Sequence, residues 1–171
     1  GRKPILVIYN DKMLQVNKNT DKKARSLYER GSGVIITVGD GDFSFSASIA
    51  SNYNLINPTT GKSRLIATSY DSYRQLSDKY NSTVNVCLQT LRTLHVPILH
   101  SIDATNLFGS FQRSIKIASQ RPEFEPIPNI VNSCSRIIFN FPNLGNLGQD
   151  NTTIHQKLFS HFFQQSIPLL I

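Results

Sequence analysis

Cysteine is scarce here: Cys87 and Cys134 are the two in 171 residues, and neither has metal-ligand spacing to the other or to a histidine. A disulfide framework and a zinc module both need several closely spaced thiols, so both are excluded. The pair reads as reduced thiols of an intracellular protein, and no structural metal is expected. Long apolar runs are lacking as well. No stretch of about 18 hydrophobic residues occurs, so neither a membrane-spanning helix nor a membrane partner is expected. Charge is sparse and one-sided, with 18 Lys and Arg against 11 Asp and Glu, a net +7.

What is present suffices for one domain, since 39% of 171 residues are hydrophobic and a chain of that size buries a substantial core. The excess charge is concentrated. Residues 1–33 carry eight basic side chains against Asp11, Asp21 and Glu29, which accounts for +5 of the +7. The chain therefore divides into a basic N-terminal arm, 1–33, and a near-neutral domain, 34–171. Such an arm suits a polyanion, most simply RNA. Within it, Ile5-Leu6-Val7-Ile8-Tyr9 has the composition of a strand or an edge addition, and Lys22–Arg30 that of a short helix ending at Gly31.

The junction at residues 34–46 carries the most chemistry. Val34-Ile35-Ile36-Thr37-Val38 is a β-branched run bounded by glycines, the pattern of a buried strand. Gly39 and Gly41 then permit a tight turn and a close approach of backbone to ligand. From Phe43 to Tyr53 the spacing becomes helical, so the turn opens onto a helix N-terminus, as in the nucleotide sites of doubly wound sheets. The turn has no Gly-Lys-Ser/Thr and lacks the third glycine of the dinucleotide fingerprint. Asp40 and Asp42 would repel a pyrophosphate. They suit a ligand with a cationic end, such as the amine and sulfonium of S-adenosylmethionine.

Beyond the turn, strands and helices alternate. Strands are expected at Leu65–Thr68, Val96–Ile102 and Arg136–Phe141, a less continuous helix over Tyr73–Leu94, and helices over Phe108–Ser119 and Thr152–Ile167. The proline-rich stretch Gln120–Pro128 is expected to be a loop. Alternating β and α units predict an α/β, Rossmann-like, doubly wound parallel sheet. The apolar ending Ile167-Pro168-Leu169-Leu170-Ile171 suggests a sheet whose C-terminal strands lie beyond this chain.

In such a sheet the ligand lies at the carboxyl ends of the strands, and each expected end carries a usable group. The Gly39–Asp42 turn follows the first. Asp71 follows the second and can accept both hydroxyls of a ribose. Asp103 follows the third and can accept from an adenine amine. Asn140-Phe141-Pro142 ends the fourth, with an amide and a ring suited to a planar base. A single aspartate at such a place is often only a helix cap. Four groups at successive strand ends are harder to explain that way.

The strings Val-Gly-Asp-Gly-Asp-Phe-Ser-Phe-Ser (38–46), Ala-Thr-Ser-Tyr-Asp-Ser (67–72), Leu-His-Ser-Ile-Asp-Ala-Thr (99–105) and Ile-Ile-Phe-Asn-Phe-Pro-Asn-Leu-Gly (137–145) resemble successive motifs of the fungal and plant large-subunit rRNA uridine-N3 methyltransferases. The resemblance covers about Val34 to Ile167. It implies a class I methyltransferase fold, S-adenosylmethionine as cofactor, large-subunit rRNA as partner and a nucleolar, otherwise cytosolic, location. By position, Gly39, Asp40, Gly41, Asp42 and Phe43 would form the cofactor loop, Asp71 would hold the ribose and Asp103 the adenine. Asn140, Phe141 and Pro142 would face the target base. Thr37 departs from the general methyltransferase pattern, which has an acid there, so Asp40 or Asp42 would bind the cofactor amine. The same residues are compatible with a non-catalytic RNA-binding assembly factor that keeps the fold, while the acidic turn disfavours a dinucleotide oxidoreductase. His100 is expected to be a packing residue.

Overall fold

The β-branched and apolar runs become strands, and the amphipathic stretches between them become helices that cover both faces of the resulting sheet. The computed structural model describes residues 5–9, 28–29, 31–122, 125–127, 130–140 and 151–170, without the side chains of 5–9, 140 and 151–152. In chain order these form β1 (Ile5–Tyr9), β2 (Val34–Val38), α1 (Ser44–Asn52), β3 (Leu65–Thr68), α2 (Tyr73–Thr93) and β4 (Ile98–Leu99). They continue with α3 (Leu107–Ala118), β5 (Cys134–Asn140) and α4 (Asn151–Ser166). The five strands form one sheet in the order β1-β5-β2-β3-β4, with all pairs parallel. The α/β doubly wound reading is confirmed.

Both faces are dry, as a parallel sheet requires. On one, Ile35, Leu65, Ala67 and Ile138 pack with Ala47 and Ile49 of α1 and with Leu76, Val84, Leu88 and Leu91 of α2. On the other, Ile36, Val38, Ile66, Ile137 and Phe139 meet Leu107 and Phe111 of α3 and Phe162 of α4. Alternate residues of one strand thus serve opposite cores. Each fully buried aliphatic side chain contributes roughly 1.5–3 kcal/mol of transfer free energy, which is why the central strands read as unbroken apolar runs.

Local chemistry sets the helix ends. Ser72 caps α2 reciprocally with Gln75: its side chain accepts from the Gln75 N–H, and the Gln75 side chain accepts from the Ser72 N–H. Asp103 caps a short 3-10 turn, Ala104–Asn106, that leads into α3. At the amino end of the sheet, buried Arg64 donates to the carbonyls of Gly33 and Glu29, tying the segment before β2 to β3.

β4 differs from the sequence expectation: it is short, Ile98–Leu99 rather than Val96–Ile102. Among the described residues it pairs with β3 alone, Pro97 offers no N–H, and Ser101 turns away with φ 59°. α2 is discontinuous, as its pattern suggests, because Asn81 has φ 47° and ψ −122° within it. The apolar run Ile5–Tyr9 does join the sheet edge, beside β5. Residues 1–4, 10–27 and 30 of the basic segment, including most of the helix expected over Lys22–Arg30, lie outside the described residues.

Candidate active site

Strand order places the site. From β2 the sheet runs through β3 and β4 to one edge, whereas β5 returns on the other side of β2. The crevice of a doubly wound sheet opens at the carboxyl ends beside such a reversal. Val38 pairs with Phe139, so Asn140 stands level with Gly39. The glycine turn and the end of β5 are therefore neighbours, although about a hundred residues separate them in sequence.

The turn itself is tightly specified. Gly39 has φ 70°, and Phe43, which is not a glycine, has φ 63° with its ring fully buried. Burying that ring in the α1–α2 core offsets a backbone conformation that disfavours side chains. Asp40 is 1% exposed, and its Oδ2 accepts from the Ser46 N–H at 2.7 Å and the Ser46 hydroxyl at 2.5 Å. Ser46 Oγ also lies 2.8 Å from Thr37 Oγ1. Asp40 thus holds the first turn of α1. Burial raises its pKa, and the bonds from Ser46 oppose that shift. Asp42 is only partly buried and accepts from the Ser44 N–H at 3.0 Å through Oδ1. Of the two acids, Asp42 is the one that faces solvent. Gly41 lies against Tyr80, whose hydroxyl would be 2.8 Å from a Cβ added there.

Asp71, just after β3, is largely buried, and both its oxygens accept from Lys79 Nζ at 2.8 Å. That bond raises the Lys79 pKa. Asp103, after β4, uses Oδ1 to accept from the Thr105 N–H and hydroxyl, at 2.8 and 2.7 Å, which leaves Oδ2 for another donor. Asn140 is the last residue of β5, and Phe141 and Pro142 lie outside the described residues. Seven of the ten expected site residues, Gly39–Phe43, Asp71 and Asp103, therefore stand at the carboxyl ends of β2, β3 and β4, with the Asn140 backbone beside them.

His100 packs edge-on between Phe43 and Tyr73, with ring centroids 5.5 and 6.0 Å away. Burial pulls its pKa down to about 4, and Arg121 and Arg92 add to the shift. Its Nδ1 is buried with no hydrogen-bond partner among the described residues, and burial keeps the imidazole neutral in the fold. This depressed value has a pH consequence. Its contribution to stability is complete above about 6.5, where the imidazole is neutral folded or unfolded, and is lost as pH falls toward about 4, because only the unfolded chain takes up the proton. Asp40 acts in the other direction, its contribution being present below 3.8 and lost as pH rises through its raised value. Urea midpoints measured from pH 7 to pH 4 are expected to fall less steeply in His100→Asn than in the parent chain; equal slopes contradict the assignment.

Sequence reasoning missed Lys79, Tyr80 and the Thr37–Ser46–Asp40 network. Ser72-x-x-Gln75 was legible as a capping box. Nothing in the spacing signalled Lys79, which meets Asp71 from eight residues further along the chain. Two cavities, about 260 and 440 Å³, lie at the opposite end of the sheet around Arg64 and do not reach these groups. Among the described residues there is no cluster of three or more metal-ligating side chains, and no helix long and apolar enough to cross a membrane.

Residues 36–171 match a family model described as rRNA (uridine-N3-)-methyltransferase BTM5-like. A 25S rRNA (uridine(2634)-N(3))-methyltransferase of Saccharomyces cerevisiae is 36% identical over 148 residues, covering 79% of this chain and 40% of the yeast protein. A heavy metal-associated isoprenylated plant protein 41 of Arabidopsis thaliana is 32% identical over 140 residues, covering 80% of this chain and 23% of that protein. An uncharacterized A. thaliana protein is 32% identical over 142 residues, covering 80% of this chain and 57% of its own length. The chain spans less than two-thirds of each of these relatives. No solved structure matches it.

Proposed function

The chain belongs to the family of rRNA (uridine-N3-)-methyltransferases, and on that premise we propose that it binds S-adenosylmethionine at the carboxyl ends of β2–β4 and methylates N3 of a uridine in large-subunit rRNA, in the nucleolus. The observation that carries this reading is the convergence of the glycine turn, Asp71, Asp103 and the end of β5 at the point where strand order reverses.

The residues present fit such a cofactor. Asp71 already receives a donor on both oxygens, the geometry a ribose diol needs. Asp103 keeps one carboxylate oxygen for an amine. Asp42 is assigned to the amino group of the cofactor, because Asp40 is committed to α1. Bound there, S-adenosylmethionine supplies an electrophilic methyl.

The chain's own task is to present the uridine. Uridine N3 is a poor nucleophile while protonated, and in a duplex it is paired, so the base must be unpaired or flipped out. We assign Asn140 to the base edge and Phe141 and Pro142 to its plane, with a carboxylate or water taking the N3 proton. Orientation of this kind lowers a barrier by about 7–11 kcal/mol in favourable cases. Incubation with a large-subunit rRNA transcript and cofactor, followed by nuclease digestion and mass spectrometry, is expected to yield N3-methyluridine. Tight S-adenosylhomocysteine binding with no methyl transfer would instead support the assembly-factor reading.

A further inference from the structure

We propose that the Lys79–Tyr80 turn of α2 is a latch on the cofactor site: Lys79 occupies the Asp71 carboxylate that the ribose diol requires, and Asn81 is the hinge on which the latch opens. This rests on the proposed role of Asp71 toward ribose.

Three observations meet in this stretch. Lys79 Nζ lies 2.8 Å from each Asp71 oxygen, so ammonium and diol compete for the same two acceptors. The adjacent Tyr80 places its hydroxyl against Gly41, on the turn that the cofactor must approach. Immediately after, Asn81 has φ 47° and ψ −122°, a conformation glycine adopts readily and other residues adopt under strain. Lys79 and Tyr80 directly precede Asn81, so a change of backbone conformation at residue 81 is the local change that alters both contacts.

Such a latch is light. The Lys79 side chain is 54% exposed, and ion pairs of that kind are weak and screened by salt. Ligand affinity is lowered by the fraction of molecules held closed. Adenosine is the direct probe, because it carries the diol and no charge, so any salt dependence of its binding reports the protein. Calorimetric titrations with adenosine and with S-adenosylhomocysteine would compare the parent chain with Lys79→Met, Asn81→Ala and Asn81→Gly at low and high ionic strength.

Lys79→Met and Asn81→Ala are each expected to bind about two- to fivefold more tightly, the first by removing the competitor and the second by penalising the kink. Asn81→Gly relieves the strain of the closed form and is expected to bind more weakly by a similar factor. Parent affinity for adenosine should rise with salt, and that of Lys79→Met should not. Weaker binding by Lys79→Met, or Asn81 variants that shift in the same direction, overturns the latch while leaving the cofactor site standing. No binding of either probe by any chain that is folded by circular dichroism overturns the cofactor site and the latch together. If Lys79→Met does not fold, the opposed Asn81 pair decides.

Discussion

Asp71→Ala is expected to lose at least about 100-fold in affinity for S-adenosylhomocysteine with little change in stability. Two hydrogen bonds to a charged acceptor contribute roughly 1.5–3 kcal/mol each, and displacing Lys79 takes back a part. Stability changes little because the carboxylate's partner in the fold is a half-exposed lysine, and such pairs contribute about 0–1 kcal/mol. The backbone is held independently of that carboxylate: Ser69 N–H donates to the Leu99 carbonyl, and Ser101 N–H to the Asp71 carbonyl. Calorimetry and a urea melt on the same sample make the check. Unchanged affinity removes Asp71 from the site, whereas a collapsed melt assigns it to the fold.

Asn140→Ala is expected to separate chemistry from binding. Its position argues for this, because Asn140 ends β5, next to Phe139, which pairs with the last residue of β2. A group there borders the turn assigned to the cofactor without belonging to it. Loss of one positioned polar group from a reacting centre costs on the order of 10²–10³ in rate. Methyl transfer in single turnover should fall by that factor, while S-adenosylhomocysteine affinity stays within about twofold of the parent. Equal losses in both would place Asn140 in the cofactor pocket, and full activity would remove it from the reaction.

Much of the frame was legible in the chain itself. β2 and β3 have the expected bounds, and α1, α3 and α4 lie within a residue or so of theirs, because unbroken β-branched runs and 3.6-residue periodicity are local signals with few competing solutions. Side-chain direction at the turn was less legible. Asp40 and Asp42 are equivalent as a pattern, and packing of α1 alone turns the first inward onto Ser46 and leaves the second facing solvent.

Sequence by itself determined the strand-turn-helix unit, the alternation that makes a parallel sheet, and the acids at the strand ends, since each follows from side-chain type at short range. Tertiary structure decided which of these groups meet. The reversal of strand order brings Asn140 level with Gly39, the edge position of β4 limits it to two residues, and the placement of α2 sets Lys79 against Asp71. Those outcomes depend on how whole elements pack against one another, which side-chain type at short range does not specify.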